Sequence, residues 1–325
     1  MNNLKIGVLT SGGDSSGMNP AIRSVTRTAL HHNIPVFGIQ RGYQGLIEDD
    51  IIELSSRSVS NIIKAGGTIL QTSRSAAFHS QEGREQAYQN LKSRDINALI
   101  VIGGDGSFHG LDLFCQEHPD IQGIGMPGTI DNDLNGTDYT IGFDTAVNVA
   151  LDAIDKIRDT ATSHNRLFLI EVMGRHAGYL ALYTGIAGGA EEILIPETIT
   201  DLKQIALDLD SGRKKGKKSS IVIIAEGDEA GGAFHIKEEL QTHIDWDIRV
   251  SILGHLQRGG SPTAADRILA SRLGYYAVQS VLEGSSRIMV GIINDYPSIT
   301  PLEETWASKK TINPTDLTIS TILSE

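Results

Sequence analysis

Short apolar runs alternate along the chain with longer stretches of helical periodicity. The runs Lys5–Thr10, Val36–Ile39, Ala98–Ile102, Gln122–Met126, Leu167–Val172, Glu192–Ile195, Ile221–Ala225, Val250–Leu253 and Met289–Ile293 are rich in Val, Ile and Leu. Several are continuous rather than alternating, which is how strands buried on both faces of a parallel sheet read. Between them lie helical patterns. One is predicted to begin at the capping pair Asp144-Thr145 and to carry Val147, Leu151, Ile154 and Arg158 along one side. Another is predicted from about Pro20, a residue suited to a first helical turn. The pattern predicts a doubly wound α/β chain. No internal repeat or long low-complexity linker marks a boundary.

Composition narrows the function. The 325 residues suit two domains or one large one. A net charge of −12 and 5% aromatics argue against a general nucleic-acid binder or a base-stacking platform. No run is long and apolar enough to span a bilayer. The single cysteine, Cys115, excludes an internal disulfide and a cysteine-rich zinc site. The N-terminus lacks the apolar core of a signal peptide, so a reducing cytoplasm is expected. Glycine is abundant, 35 residues, against a usual share of about 7%.

In open parallel sheets, ligands bind beyond the carboxyl ends of strands, so the loops there are the candidates for chemistry. The first, Thr10-Ser11-Gly12-Gly13-Asp14-Ser15-Ser16-Gly17-Met18-Asn19, reads either as a phosphate cradle before a helix or as a tight strand-to-helix turn. Its G-x-S-x-G spacing (Gly13, Ser15, Gly17) matches a hydrolase elbow, but too little chain precedes it to supply an oxyanion loop. The second, Gly103-Gly104-Asp105-Gly106-Ser107, surrounds one carboxylate with glycines. That arrangement admits a polyphosphate and lets Asp105 hold Mg²⁺; a structural turn with a capping Asp is the alternative. The third is Pro127-Gly128-Thr129-Ile130-Asp131-Asn132-Asp133. If extended, it places Thr129, Asp131 and Asp133 on one face, fit to activate a hydroxyl; a solvated Asx-rich turn is the alternative. A formal GxGxxG (Gly123, Gly125, Gly128) is interrupted by Pro127, and no Walker A sequence occurs.

An acidic phosphate binder must gather its cations locally. Arg166 precedes one strand run and Met173-Gly174-Arg175 closes it. Arg249 opens another, which ends in Gly254-His255-Leu256-Gln257-Arg258-Gly259-Gly260. A guanidinium fork matches phosphate oxygens. The run Arg213-Lys214-Lys215-Gly216-Lys217-Lys218 reads as a solvated turn, and Arg23, Arg27 and Arg158 on helices do not by themselves distinguish a solvated surface from a second anion site.

Together, and in order, Leu9-Thr10-Ser11-Gly12-Gly13-Asp14, Gly103–Ser107, Pro127–Asp133, Val172–Arg175 and Gly254–Gly260 resemble the bacterial ATP-dependent 6-phosphofructokinase family. The resemblance implies two Rossmann-like domains with mostly parallel sheets and an active site in the cleft between them. Residues 1–142 plus 257–305 would form the larger, ATP-binding domain; 143–256 plus 306–325 would form the sugar-phosphate domain. It implies transfer of the ATP γ-phosphoryl to O1 of fructose 6-phosphate in glycolysis. Asp131 would be the base, with Thr129, Asp133 and Arg175 as its catalytic companions. Gly12, Arg74, Ser75, Gly104, Asp105, Gly106 and Ser107 would bind ATP, and Asp105 would carry Mg²⁺. Thr129, Ile130, Asp131, Met173, Gly174, Arg175, Glu226, His255, Leu256, Gln257 and Arg258 would bind the sugar phosphate, joined by Arg166 and Arg249 from a neighbouring subunit of a homotetramer. Arg23, Arg27, Arg158, Gly189, Ala190, Glu191, Lys215, Lys217, Lys218 and Ser219 would bind an effector, ADP or phosphoenolpyruvate. Glycine at 106 and 128, where the pyrophosphate-using branch typically carries Asp and Lys, points to ATP as donor. A pyrophosphate-dependent enzyme and a non-catalytic sugar-phosphate sensor are the rival readings. The chain departs from the family pattern at Ser15-Ser16 (usually Ala-Pro), at Ser75-Ala76-Ala77-Phe78, at Tyr179 (commonly Asp) and at Ser56-Arg57.

Overall fold

The computed structural model describes residues 4–164, 166–217, 219–308 and 310–324. The chain divides into two compact units, Met1–Thr129 with Leu134–Asp144 and Arg258–Lys310, and Ile130–Asp133 with Thr145–Gln257 and Thr311–Glu325.

Among the described residues the first unit holds seven strands: β1 (Ile6–Thr10), β2 (Val36–Ile39), β3 (Ile51–Leu54), β4 (Ala98–Gly103), β5 (Gln122–Pro127), and two late strands, Ile288–Ile293 and Tyr296–Pro301. The second unit contributes β6 (Leu167–Val172), β7 (Glu192–Leu194), β8 (Ser220–Ala225) and β9 (Ile248–Ile252), so the late pair become β10 and β11. The first sheet runs β11-β10-β5-β4-β1-β2-β3. Its inner pairs are parallel, with Ile6 opposite Ala98 and Ala98 opposite Gln122. The edge strands β3 and β11 are antiparallel. From β1 the chain first pairs β2 on one side and later β4 on the other, so the order reverses between β1 and β4. Loops leaving β1 and β4 therefore flank a topological switch point, where such sheets bind ligands.

The continuous apolar runs arise because both sheet faces are covered. Ile6, Val8, Ile100 and Ile102 pack with Met18 and Ile22 of the helix Met18–His31 and with Leu273 and Ala277 of the helix Ala264–Leu282. Leu9, Leu99 and Val101 face the other way, onto Phe108, Leu111 and Phe114 of the helix Asp105–Glu117. Successive residues thus serve opposite layers. In the second unit, a four-stranded parallel sheet in the order β7-β8-β6-β9 packs Leu167, Leu169, Val222 and Ile224 against Ile236 and Leu240.

The nine predicted strands are all present, with ends shifted by a residue or two. Ile248 precedes Arg249 in β9, so Arg249 lies within the strand rather than opening it. Two strands have no counterpart in the prediction. β3 buries only its first and last residues. β11 carries Pro297 and Pro301, which an edge strand tolerates because it has one unpaired side. The helix expected from Pro20 begins at Met18. The helix expected after Asp144-Thr145 begins at Phe143, so this pair sits in its first turn instead of capping it.

The formal GxGxxG is a packing device. A Cβ on Gly123 would lie 2.4 Å from Cys115 Sγ, and one on Gly125 would lie 2.8 Å from the Phe108 ring. These glycines let the helix Asp105–Glu117 settle onto β5. Overpacking such a site costs about 1–3 kcal/mol. Gly125→Ala is therefore expected to destabilise by that amount in urea unfolding. Gly106→Ala, with nothing within 4 Å of the added carbon, is expected to change stability little.

Candidate functional site

In the first unit, the loop after β1 is tied down by hydrogen bonds to neighbouring segments. Ser11 N donates to Ile102 O at 3.0 Å, joining the ends of β1 and β4. Thr72 Oγ1 donates to Gly12 O at 2.6 Å. Ser15 is fully buried and its hydroxyl donates to Ile141 O at 2.9 Å, so it is not an exposed nucleophile. Ser16, also buried, donates to Gly260 O at 2.9 Å. Both unusual serines thus donate to distant backbone carbonyls. Arg258 Nη1 donates to Asp14 O at 3.1 Å.

After β4, Gly103 has no room for a side chain: a Cβ would lie 2.6 Å from Ser107 Oγ and 2.7 Å from Ser11 O. Asp105, expected in a loop, is instead the first residue of a helix. Gly104 caps that helix without a side-chain hydrogen bond. Tyr43 OH, donating to Ser107 O at 2.6 Å, pins the first turn from the core side. On the other side Gly104, Asp105 and Gly106 are half-buried or exposed. An open helix N-terminus presents orphan N–H groups and favours anions. One exposed carboxylate there fits Mg²⁺, which keeps several waters and shares phosphate oxygens. Among the described residues no group of three or more acidic, histidine or cysteine side chains could hold a metal alone. Arg74 is exposed, while Ser75 donates to Gln44 Oε1 at 2.7 Å and accepts from Phe78 N at 3.3 Å. Phe78 is buried and stacks on Tyr43 with ring centroids 4.0 Å apart.

Thr129 belongs to the first unit, and its carbonyl accepts from Thr140 Oγ1 at 2.6 Å. Gly128 is crowded: a Cβ would meet Ile102 Cγ2 at 2.9 Å and Gly103 N at 3.3 Å.

In the second unit, Asp131 is 5% exposed and its Oδ2 lies 3.8 Å from Arg175 Nε. The expected extended alternation of Asp131 and Asp133 fails, because Asn132 has φ +52° and turns the chain between them. Arg175 follows β6 through two left-handed residues, Gly174 (φ +137°) and Arg175 (φ +53°). Only glycine adopts the first of these readily. Two contacts hold this turn. Arg175 N donates to Glu226 Oε1 at 2.8 Å, and Met173 N donates to Gln257 Oε1 at 2.8 Å. Gln257 is almost wholly buried, so it braces the turn rather than facing a ligand directly. Ile130 and Met173 are buried, and His255 and Leu256 are exposed on the short helix Gly254–Arg258.

Arg166 and Arg249 do not join this group. Both pair with Asp247, Arg166 Nε at 2.7 Å and Arg249 Nη2 at 3.0 Å. These contacts, led by the Arg166 hydrogen bond, hold the Asp247 carboxyl below its usual range. The sequence reading missed Asp247. The alternation Ile244-Asp245-Trp246-Asp247-Ile248, with its apolar residues buried, was the available signal.

The expected effector residues divide between the units. Arg23 and Arg27 sit on the helix Met18–His31 of the first. In the second, Arg158 Nη2 donates to Gly188 O and Gly189 O, and Lys217 Nζ donates to Ser324 O at 2.9 Å. Glu191 Oε2 accepts from Ile221 N at 2.7 Å. Ala190 is buried, Lys215 exposed and Ser219 half-buried. Lys218 lies outside the described residues. Tyr179 begins the helix Tyr179–Gly188; burial, then the charges of Glu197 and Asp133, raises its phenol pKa.

An open helix start with a lone carboxylate, and a buried carboxylate beside a guanidinium, are the parts a phosphoryl-transferring enzyme needs. The comparisons agree. The family described as phosphofructokinase matches residues 5–281. The chain is 53% identical over 320 residues to ATP-dependent 6-phosphofructokinase 1 of Thermus thermophilus, covering 98% of this chain and 99% of that one. It is 56% identical over 291 residues to ATP-dependent 6-phosphofructokinase 2 of Bacteroides thetaiotaomicron, 89% of each chain. The solved structure of phosphofructokinase from Saccharomyces cerevisiae superposes with a TM-score of 0.90 at 37% identity, over 98% of this chain and 48% of that one. The chain belongs to the phosphofructokinase family.

Glu192 gives a pH prediction. Burial, followed by the charges of Asp208 and Glu191, pushes its carboxyl up from 4.5 to about 7. The folded form thus holds this proton more tightly than the unfolded chain. Its contribution is fully present below pH 4.5 and is lost as pH rises through about 7. Glu192→Gln should raise the unfolding midpoint at pH 8 by the equivalent of about 1 kcal/mol, discounted for partial exposure, and leave it unchanged at pH 4. Thermal melts across that range check this.

Proposed function

We propose that this chain is an ATP-dependent 6-phosphofructokinase, acting on fructose 6-phosphate in the cytoplasm as a homotetramer. The observation that carries the reading is the buried Asp131 carboxylate with Arg175 3.8 Å away, in a chain whose near-full-length relatives bear that name. Asp131 accepts the proton from the O1 hydroxyl of the sugar. That oxygen attacks the γ-phosphorus, and the bond to the β–γ bridging oxygen breaks to release ADP. Arg175 meets the charge gathering on the transferring phosphoryl oxygens. Thr129 and Asp133 orient the acceptor. Glu226, His255 and Arg258 hold the sugar phosphate, with Arg166 and Arg249 reaching a neighbouring subunit's substrate. Gly12, Arg74, Ser75 and residues 104–107 hold the nucleotide. Asp105 would hold Mg²⁺, which when bound neutralises phosphate charge. ADP or phosphoenolpyruvate would act through Arg23, Arg27, Arg158, Lys215 and Lys217.

The donor preference rests on two glycines. Gly106 faces open space, which leaves room for the nucleotide's phosphates, and Gly128 is too crowded for lysine. Pyrophosphate as donor is not favoured.

Asp131→Asn should lower kcat at least about 10²-fold in a coupled assay with fructose 6-phosphate, ATP and Mg²⁺. Near-normal turnover would remove Asp131 from its role. Gly106→Asp should raise KM for ATP about tenfold or more, through crowding and like charge at the phosphates. Activity of the unaltered protein with pyrophosphate alone would overturn the donor assignment.

A further inference from the structure

Arg258 is held at both ends by the loop that follows β1. At the side-chain end, Nη1 donates to Asp14 O at 3.1 Å. The guanidinium also lies directly over Gly13, where a Cβ would fall 2.3 Å from Nη1 and 2.8 Å from Cζ. At the backbone end stands Ser16, 1% exposed. Its Oγ is 2.9 Å from Gly260 O, 3.2 Å from Gly259 O and 3.5 Å from Arg258 O. A hydroxyl has one proton, and the shortest contact takes it, so the turn 258–260 closes over a single buried donor. Gly259 and Gly260 are exposed. The rest of the turn leans on polar staples too: Ser261 Oγ donates to Lys64 O at 2.8 Å, and Gly66 packs against Gly260 O. Proline, the residue the family pattern carries at position 16, has no hydroxyl to donate.

We propose that Ser16 and Gly13 form a two-point seat that positions Arg258 for the sugar phosphate, with Ser16 a positioning residue. The seat rests on the assignment of Arg258 to the sugar phosphate made above. Ser16 fixes where the arginine leaves the backbone. Gly13 leaves the bare surface on which the guanidinium lies, and Asp14 O takes one of its five N–H donors, leaving the others for an anion. Loss of the Ser16 donor leaves the carbonyls of the turn without their buried partner and lets the backbone of Arg258 shift.

The test is steady-state kinetics of the full chain with both substrates varied. Ser16→Ala should raise KM for fructose 6-phosphate about three- to tenfold while KM for ATP stays within about twofold. Gly13→Ala should give the same one-sided change by displacing the guanidinium. Ser15→Ala removes an equally buried hydroxyl that bonds elsewhere; it should lower the melting midpoint and leave the ratio of the two KM values unchanged. If Ser16→Ala does not fold, the Gly13→Ala split decides. Equal changes in both KM values, or none, overturn the seat. Arg258→Lys separates the two levels: if it leaves the sugar-phosphate KM unchanged, the assignment of Arg258 falls and the seat with it. If that KM rises while Ser16→Ala and Gly13→Ala leave it alone, the seat alone is overturned.

Discussion

A carboxylate that is to take a proton has to be shielded from water without being stranded in an apolar core. Asp131, the proposed base, meets both demands: it is buried, and the Arg175 guanidinium stands 3.8 Å away. An ionised carboxylate taken out of water is costly unless a charge or hydrogen bonds compensate it. Much of the local architecture exists to keep Arg175 there. Two consecutive left-handed residues aim the chain at the end of β6, and such backbone persists only where surroundings over-determine it. Glu226 at the end of β8 and Gln257 after β9 supply that support, each accepting a backbone N–H of the turn. The three loops that hold Arg175 come from neighbouring strands of one parallel sheet, so the sheet register sets where its turn is braced.

Glycine serves two opposite ends in this chain. At 103, 123, 125 and 128 it is forced by the protein itself, because a Cβ would strike backbone or packed side chains at 2.4–2.9 Å. At 106 no protein atom asks for it; the space beside it is open. Only the second kind speaks for a ligand. The abundance of glycine therefore mixes two signals, and the positions that matter for binding are the ones whose smallness the fold leaves unexplained.

The buried strands were legible because parallel strands covered on both faces leave continuous Val/Ile/Leu runs, as Ala98–Ile102 and Ile221–Ala225 do. β3 and β11 were not. An edge strand needs neither two-sided burial nor a full set of N–H donors, so Pro297 and Pro301 hid one and the half-exposed Ile51–Leu54 hid the other. The candidate residues were legible as residue types at strand ends. Their local geometry was not, because it turns on single backbone angles. Asn132 at φ +52° breaks the alternation that spacing suggested for Asp131 and Asp133. Nor could spacing show that Gln257 faces inward, or that Arg166 and Arg249 share Asp247. Ser15 and Ser16 read as departures in a glycine loop, yet each is a buried donor to a distant carbonyl.

The cations show how an acidic chain manages phosphate chemistry. A net charge of −12 repels polyanions at long range, so attraction must come from groups placed within a few ångströms. The arginines and lysines of the candidate sites differ in what already engages them. Arg166 and Arg249 are tied to a carboxylate, so an incoming anion must compete with a charged partner. Arg158 and Lys217 are tied to neutral carbonyls, and hydrogen bonds to a charged acceptor are roughly twice as strong as those to a neutral one. Arg258 gives one N–H to a carbonyl and keeps the remainder of its fork. The difference follows from side-chain geometry: a guanidinium laid on glycine is oriented by contact rather than by neutralisation, so it is held in place without its charge being cancelled.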